Sequence, residues 1–165
     1  DTVDTVARQL SDRGTRRLGR PTRGCQTARL KLRGADNWET VAERDLHLAH
    51  RYGSETAVLD AMIAADPELD RPLVPGLPYK QAEAVYAARY EMARTLDDVL
   101  SRRTRARLMA RDATAAAAER AAELIGNELG WSQQRRDDEV AAYRASTEHE
   151  RATPELPPTP VTLET

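Results

Sequence analysis

His47 and His50 stand three residues apart on one predicted helix, close to Glu43 and Asp45. That spacing could present two imidazoles to a metal ion. A zinc site needs three or four ligands, and the third histidine, His149, lies far along the chain. We read the pair as interfacial histidines and assign no metal ligand. Cys25 is the single cysteine, which excludes an intrachain disulfide. As a nucleophile it would need a positioned base, and no Cys–His–Asn arrangement can be built from its neighbours. "RGTRRLGRPTRG" (residues 13–24) offers glycines and arginines, but no strand-turn-helix context that would aim backbone amides at a phosphate. It reads as a solvated basic connector. No catalytic or cofactor-binding residue is assigned within the chain.

The stretch "RYEMARTLDDVLSRRTR" (residues 89–105) is the densest in charge. On a continuous helix, Glu91 and Arg94 stand at i,i+3, while Arg94 with Asp98 and Asp98 with Arg102 stand at i,i+4. Acids and arginines therefore share a face, each exposed pair contributing a few tenths of a kcal/mol. A helix that reads DNA leaves its arginines for phosphates and guanine edges. Here Arg102, Arg103, Arg105 and Arg107 are the more available ones, suited to an acidic surface on a neighbouring domain or subunit. Thr95 and Asp98 have capping-box spacing, so a helix is expected to break and restart at Thr95.

The elements that would carry these residues follow from periodicity. Val3, Val6 and Leu10 make one stripe of a first helix stopped at Gly14. Residues 15–35 read as an irregular basic connector, with "TARLKL" as a short extended segment. A helix capped by Asp36 or Asn37 runs through "WETVAERDLHLAHRYG" to Gly53 at its C-terminal cap. Ser54 caps the next, which ends before Asp66-Pro67. "DPELDRPLVPGLPY" holds four prolines and is expected to run over the surface. A third helical region starts near Pro78, burying Val85, Met92, Leu96 and Val99 as a narrow stripe. "ATAAAAERAAELIGNELG" turns Leu124, Ile125 and Leu129 inward and stops at Gly130. Ser132 caps a last helix, and the proline-rich tail after Thr153 is too poor in apolar surface to fold alone.

Composition agrees with helices. Of 165 residues, 40% are hydrophobic but only 4% aromatic, and Phe is absent. A core of Ala, Leu, Val and Ile suits packed helices better than a sheet, so the expected fold class is all-α. The net charge of −2 argues against a nucleic-acid-binding domain, which carries a basic excess. No segment reads as a membrane span or signal peptide. Asp1 rather than Met opens the chain, and we expect a piece of a longer protein.

Three blocks, "HLAHRYGSE", "LPYKQAEAVYAARYEMARTLDDVLSRRTRARL" and "AAELIGNELGW", resemble the C-terminal helical domain of FAD-dependent sn-glycerol-3-phosphate dehydrogenase. The family pattern is Arg-Tyr-Gly, then R-x-E-x-A-x-T-L-x-D-x-L-x-R-R-T, met here by Arg51, Tyr52, Gly53, Arg89, Glu91, Thr95, Asp98, Arg102 and Arg103 among others. The likeness covers residues 25–145, and residues 1–14 are similar to the helix that closes the family's flavin domain. The resemblance implies a cap domain over residues 36–150 that packs on the flavin domain. FAD, the substrate-gripping residues and the hydride chemistry would belong to the part before Asp1. The parent would oxidise glycerol 3-phosphate to dihydroxyacetone phosphate and pass electrons to quinone. It would be cytoplasmic, peripheral on the inner face of the membrane, and open to homo-oligomer formation, while this piece alone would be inactive. The nine pattern residues are expected to be structural, with Arg89, Glu91, Arg102 and Arg103 forming interhelical or interdomain ion pairs. The rivals are a free-standing helical dimerisation module and a nucleic-acid-binding domain using Arg102 to Arg111.

Overall fold

The computed structural model describes residues 2–19, 29–36, 38–43 and 45–152. The Cys25 thiol, Asn37 and the tail after Thr153 lie outside the described residues. The architecture is all-α, as expected: helices α1 (Thr2–Arg17), α2 (Trp38–Ala42), α3 (Leu46–Tyr52), α4 (Thr56–Ala65), α5 (Gln81–Tyr90), α6 (Ala106–Met109), α7 (Arg111–Ala116), α8 (Ala118–Leu129) and α9 (Gln133–Arg151). Among the described residues the one β-type pairing is an isolated antiparallel bridge between Pro72 and Lys80.

At the centre is α5, buried on every side from Gln81 to Ala88. A helix buried all round must find partners in every direction, and here Ala82, Ala84, Ala87 and Ala88 let neighbours approach closely. Packed around it are Leu48 and Tyr52 of α3, Leu59 and Met62 of α4, and Ala118, Ala121, Ala122 and Ile125 of α8. Val140 and Tyr143 of α9 complete the core.

Local sequence chemistry places several boundaries as expected. Ser132 caps α9 by accepting from the Arg135 N–H at 3.2 Å. Gly130, with φ 67°, ends α8. The Thr95–Asp98 box is formed: the Asp98 N–H donates to Thr95 Oγ1 and the Thr95 N–H to Asp98 Oδ2, each at 3.1 Å.

Other boundaries differ. The first helix continues through Gly14 to Arg17; its described Val6 and Leu10 are exposed, and the Val3 side chain lies outside the described residues. Residues 38–52 form two helices, because Asp45 takes an extended conformation and caps α3 through the Leu48 N–H at 3.0 Å. Ser54 is no cap: residues 53–55 are a 3₁₀ turn running directly into α4. The proline-rich loop does not skirt the surface. Leu69, Leu73, Val74, Leu77 and Tyr79 enter the core, while Leu73 N–H to Tyr79 O (2.7 Å) and Gln81 N–H to Arg71 O (2.9 Å) fold the loop on itself.

The third helix starts at Gln81 rather than Pro78 and ends at Tyr90. Met92, expected in the buried stripe, is 79% exposed with φ 57°. The Ala93 N–H bonds back to Ala87 O, which closes the helix before the stripe can continue. Beyond Thr95 the backbone widens into a π-helical turn, Asp98–Arg103. The buried Thr104 holds that turn, its N–H and hydroxyl both donating to Val99 O at 2.9 and 2.8 Å.

The segment before α2 docks through a contact of two glycines. Gly53 has φ 54° and ψ −130°, a region that side chains avoid. A Cβ there would stand 1.9 Å from Gly34 O, and one on Gly34 would stand 2.3 Å from Tyr52 O. The Ser54 N–H donates to Gly34 O at 2.9 Å across the contact, and Arg33 pairs with Glu55 at 2.6 Å. Gly53→Ala should therefore cost about 3 kcal/mol or more. At roughly 2–4 °C per kcal/mol for a chain of this size, calorimetry should show a clear fall in Tm. An unchanged Tm would refute the close approach.

Candidate functional site

The polar centre of the structure is Glu83, whose side chain is fully buried. It sits in the first turn of α5, where its Oε1 accepts the Lys80 backbone N–H at 2.8 Å. The same oxygen lies 2.9 Å from His47 Nε2, which must carry the proton to face a carboxylate. Oε2 accepts Arg51 Nε at 3.1 Å and the Tyr52 hydroxyl at 3.0 Å. One turn of α3 delivers all three donors, because His47 and Arg51 are i,i+4 neighbours on one face.

Arg51 carries the network further. Its Nη2 donates to the Arg103 carbonyl, and its guanidinium lies 5.5 and 5.3 Å from the ring centroids of Tyr52 and Tyr79. Arg103 in turn grips the Glu91 carbonyl with Nε at 3.1 Å and Nη2 at 2.7 Å. Arg51, Tyr52, Glu91 and Arg103 are thereby brought into one connected cluster, while Gly53 makes its close contact with Gly34 instead. Burial beside Glu83 pushes the Tyr52 hydroxyl far above its ordinary range, so it remains a donor. Burial also raises the Glu91 carboxyl, against the opposing pull of Arg103.

Thr95, Asp98 and Arg102 form a second cluster. Asp98 Oδ2 accepts the Arg94 and Thr95 N–H groups at 3.0 and 3.1 Å, and Oδ1 accepts Arg102 Nη1 at 2.9 Å. Asp97 is also 2.7 Å from Arg102. Arg94 meets Asp98 through its backbone, not as the expected i,i+4 ion pair. Arg89 stands apart, gripping Glu128 of α8 with both ends of its fork, Nη2 to Oε1 at 2.7 Å. The arginines expected to be available are largely engaged: Arg102 and Arg103 as above, and Arg107 with Glu150 at 2.8 Å and the Ser146 carbonyl at 3.1 Å. Arg105 is exposed.

Glu83 itself escaped the sequence reading. Its signal was present in the spacing of Lys80 and Glu83 at the head of a helix, where a glutamate reaches back to the cap N–H. His47, weighed as a metal ligand, is a partner of Glu83 instead. Among the described residues no cluster of metal-ligating side chains occurs. A carboxylate with its lone pairs taken and no access to water is an anchor, not a base. The arrangement is suited to holding α3, α5 and the 91–104 segment in fixed relation.

A family model for the C-terminal domain of alpha-glycerophosphate oxidase matches residues 25–136. The chain belongs to this family. A mitochondrial glycerol-3-phosphate dehydrogenase of Arabidopsis thaliana is 31% identical over 147 residues, covering 73% of this chain and 23% of that protein. Glycerol-3-phosphate dehydrogenase 2 of Mycobacterium tuberculosis is 39% identical over 104 residues, 63% of this chain and 18% of that protein. The glycerol-3-phosphate dehydrogenase of Synechocystis sp. is 26% identical over 155 residues, 86% of this chain and 28% of the relative. The chain thus spans a minor part of the length of these relatives. No solved structure matches it. Both clusters lie inside the segment matched by the C-terminal domain of alpha-glycerophosphate oxidase.

Glu83→Gln keeps the shape but leaves Arg51 without its carboxylate; removing one partner of a buried pair costs roughly 3–5 kcal/mol. The partial exposure of Arg51 places the expected loss at the lower end. Tyr52→Phe, which removes one donor, should cost only about 1 kcal/mol. Urea denaturation of the two variants would measure the ratio, and equal losses would contradict a network centred on Glu83.

The two other carboxylates predict opposite pH behaviour. The Arg94 N–H, then Thr95 and Arg102, hold the Asp98 carboxyl below its ordinary range. A lowered folded pKa means the unfolded chain binds the proton first, so this stabilisation is complete above the ordinary carboxylate range and is lost as pH falls through the folded value. Glu91 is raised, so its ionisation opposes folding as pH rises through its folded value. Asp98→Asn should flatten the acid limb of the stability curve, while Glu91→Gln should leave stability at neutral pH equal or higher. Thermal melts across the acid range test both signs.

Proposed function

We propose that this chain is the C-terminal cap domain of a flavin-dependent glycerol-3-phosphate dehydrogenase. The observation that carries the reading is the family match over residues 25–136, supported by relatives that are named glycerol-3-phosphate dehydrogenases. The whole protein would oxidise glycerol 3-phosphate to dihydroxyacetone phosphate, reduce FAD and pass the electrons to quinone. FAD supplies the hydride-accepting chemistry of that reaction.

In this reading the dinucleotide is held outside this chain: the space beside Gly34 and Gly53 is filled by each other's segments, which leaves no phosphate cradle at that pair. Residues 36–150 act instead as a rigid body seated on the flavin-bearing portion, in which Glu83 and Arg51 fix the helices and Arg103 fixes the 91–104 segment. Pairing of Arg89, Arg102 and Arg107 with the chain's own carboxylates supports a protein-facing role over nucleic-acid binding. None of the described helices is long and apolar enough to cross a membrane. Quinone would therefore be reached through other parts of the protein or from the membrane surface.

The test is to isolate the native polypeptide with an antibody to this sequence, then record its intact mass, visible spectrum and oxidation of glycerol 3-phosphate. A much heavier yellow polypeptide with that activity is expected. A colourless chain near 18.4 kDa would overturn the reading in favour of a free-standing helical module.

A further inference from the structure

Helices α8 and α9, joined by residues 130–132, run antiparallel: Arg136 meets Asn127 at 2.9 Å at one end, and Arg144 meets Glu119 at 3.0 Å at the other. Between them lies an open groove of about 570 Å³. Its α9 wall is Asp137, Val140, Ala141 and Arg144, spaced i, i+3, i+4 and i+7 and therefore on one face of the helix. Ala122 of α8 and Val140, both buried, make a small apolar floor. The rim carries both signs, with Glu119, Glu123 and Asp137 set against Arg136 and Arg144.

Asp137 differs from the other two acids of the rim. Glu119 is paired with Arg144, and Glu123 with Arg120 at 2.9 Å. Asp137 Oδ1 accepts from a neutral donor, Gln133 Nε2 at 2.8 Å, and has no ion pair among the described residues. Arg144 has capacity to spare. Its Nη1 binds Glu119 and its Nε the Ala115 carbonyl at 3.4 Å, which leaves the Nη2 edge for a second carboxylate. The Glu119–Arg144 pair is open to water, at 70% and 45% exposure, so it holds the guanidinium only weakly.

An occupant of this groove must bring a cation to Asp137, a carboxylate to Arg144 and little bulk between them. The chain presents that arrangement itself. The midpoint of the α9 face falls between Val140 and Ala141, with Asp137 and Arg144 equally far on either side, roughly 5 Å along the axis at about 1.5 Å per residue. Rotating a second copy by half a turn about that midpoint reverses its helix. Its Arg144 then faces Asp137, and its Asp137 faces Arg144. Such self-complementarity is what a two-fold contact demands. Ala141 is exposed and small, which lets two helix axes approach to roughly 8–10 Å. The mixed rim suits neither nucleic acid nor an anionic lipid surface, both of which select basic patches.

We propose that the α8–α9 groove is the contact between two copies of the polypeptide, with Asp137 of each copy paired to Arg144 of the other across a two-fold axis beside Val140 and Ala141. This contact does not depend on the function proposed above.

Sedimentation velocity of the full-length polypeptide over a range of concentrations tests it, with Asp137→Arg, Arg144→Asp and the double exchange as variants. The native polypeptide should dimerise. Each single reversal opposes like charges at two symmetry-related places and should raise the dimer dissociation constant about a hundredfold or more. The double exchange restores opposite signs and should return the constant to within about tenfold of the native one. Both residues are exposed, so circular dichroism should show every variant folded. A polypeptide that stays monomeric throughout, or a dimer that survives both single reversals, would overturn the contact. Folded single variants that dissociate, with a double exchange that does not recover, would overturn the pairing of Asp137 with Arg144. Each of these failures leaves the colour of the polypeptide and its oxidation of glycerol 3-phosphate untouched, and so is distinguishable from failure of the proposed function.

Discussion

A carboxylate sealed from water dictates the geometry of this domain. Taking an ion out of water costs several kcal/mol unless its lone pairs are met, and Glu83 is met by four donors. Three come from α3 and the fourth from the cap of α5 itself. Any slide of α3 along α5 would strand the charge, so one side chain sets both separation and register. That matters because the faces of α5 and α8 in the core are rich in alanines, whose small side chains tolerate many registers and bury little area.

From Glu83 the constraint travels outward through arginine forks. The planar guanidinium of Arg51 binds Glu83 with one nitrogen and the Arg103 carbonyl with another, a two-point grip that a lysine could not reproduce. Arg103 repeats the device on Glu91. Between these grips the chain tolerates a π-helical turn and two left-handed residues, because Ala93, Thr104 and Ala106 on their flanks are fully buried. Local strain persists where the surroundings over-determine the backbone, and here the determination begins at α3, some fifty residues earlier in the chain.

What was legible in the sequence was local. Thr95 with Asp98, Ser132 and Gly130 act within one turn of themselves, so residue type and spacing sufficed. The all-α class followed from the poverty of aromatic residues. The errors share a cause in tertiary contacts. Met92 fits a helical stripe only if the helix continues, yet the Ala93 N–H returns to Ala87 O. Prolines suggested a surface loop at residues 66–79, but Leu69, Leu73, Val74 and Leu77 fill the core from irregular backbone that no periodicity scan detects. Glu83 was invisible as a hub because its side-chain partners lie 31 to 36 residues away.

The arginines show how the same residues can be counted correctly and placed wrongly. Spacing within residues 89–105 paired Arg94 and Arg102 with acids a turn away, left Arg107 available, and gave Arg89 to an interhelical or interdomain pair. In the structure Arg89 does reach across to Glu128 on α8, while Arg94 meets Asp98 only through its backbone and Arg107 is taken by Glu150 on α9. Exposed pairs of this kind add little to stability individually, but a fork that grips two atoms on another helix fixes orientation. An arginine-rich sequence of near-neutral charge is what such cross-helix pairing leaves behind.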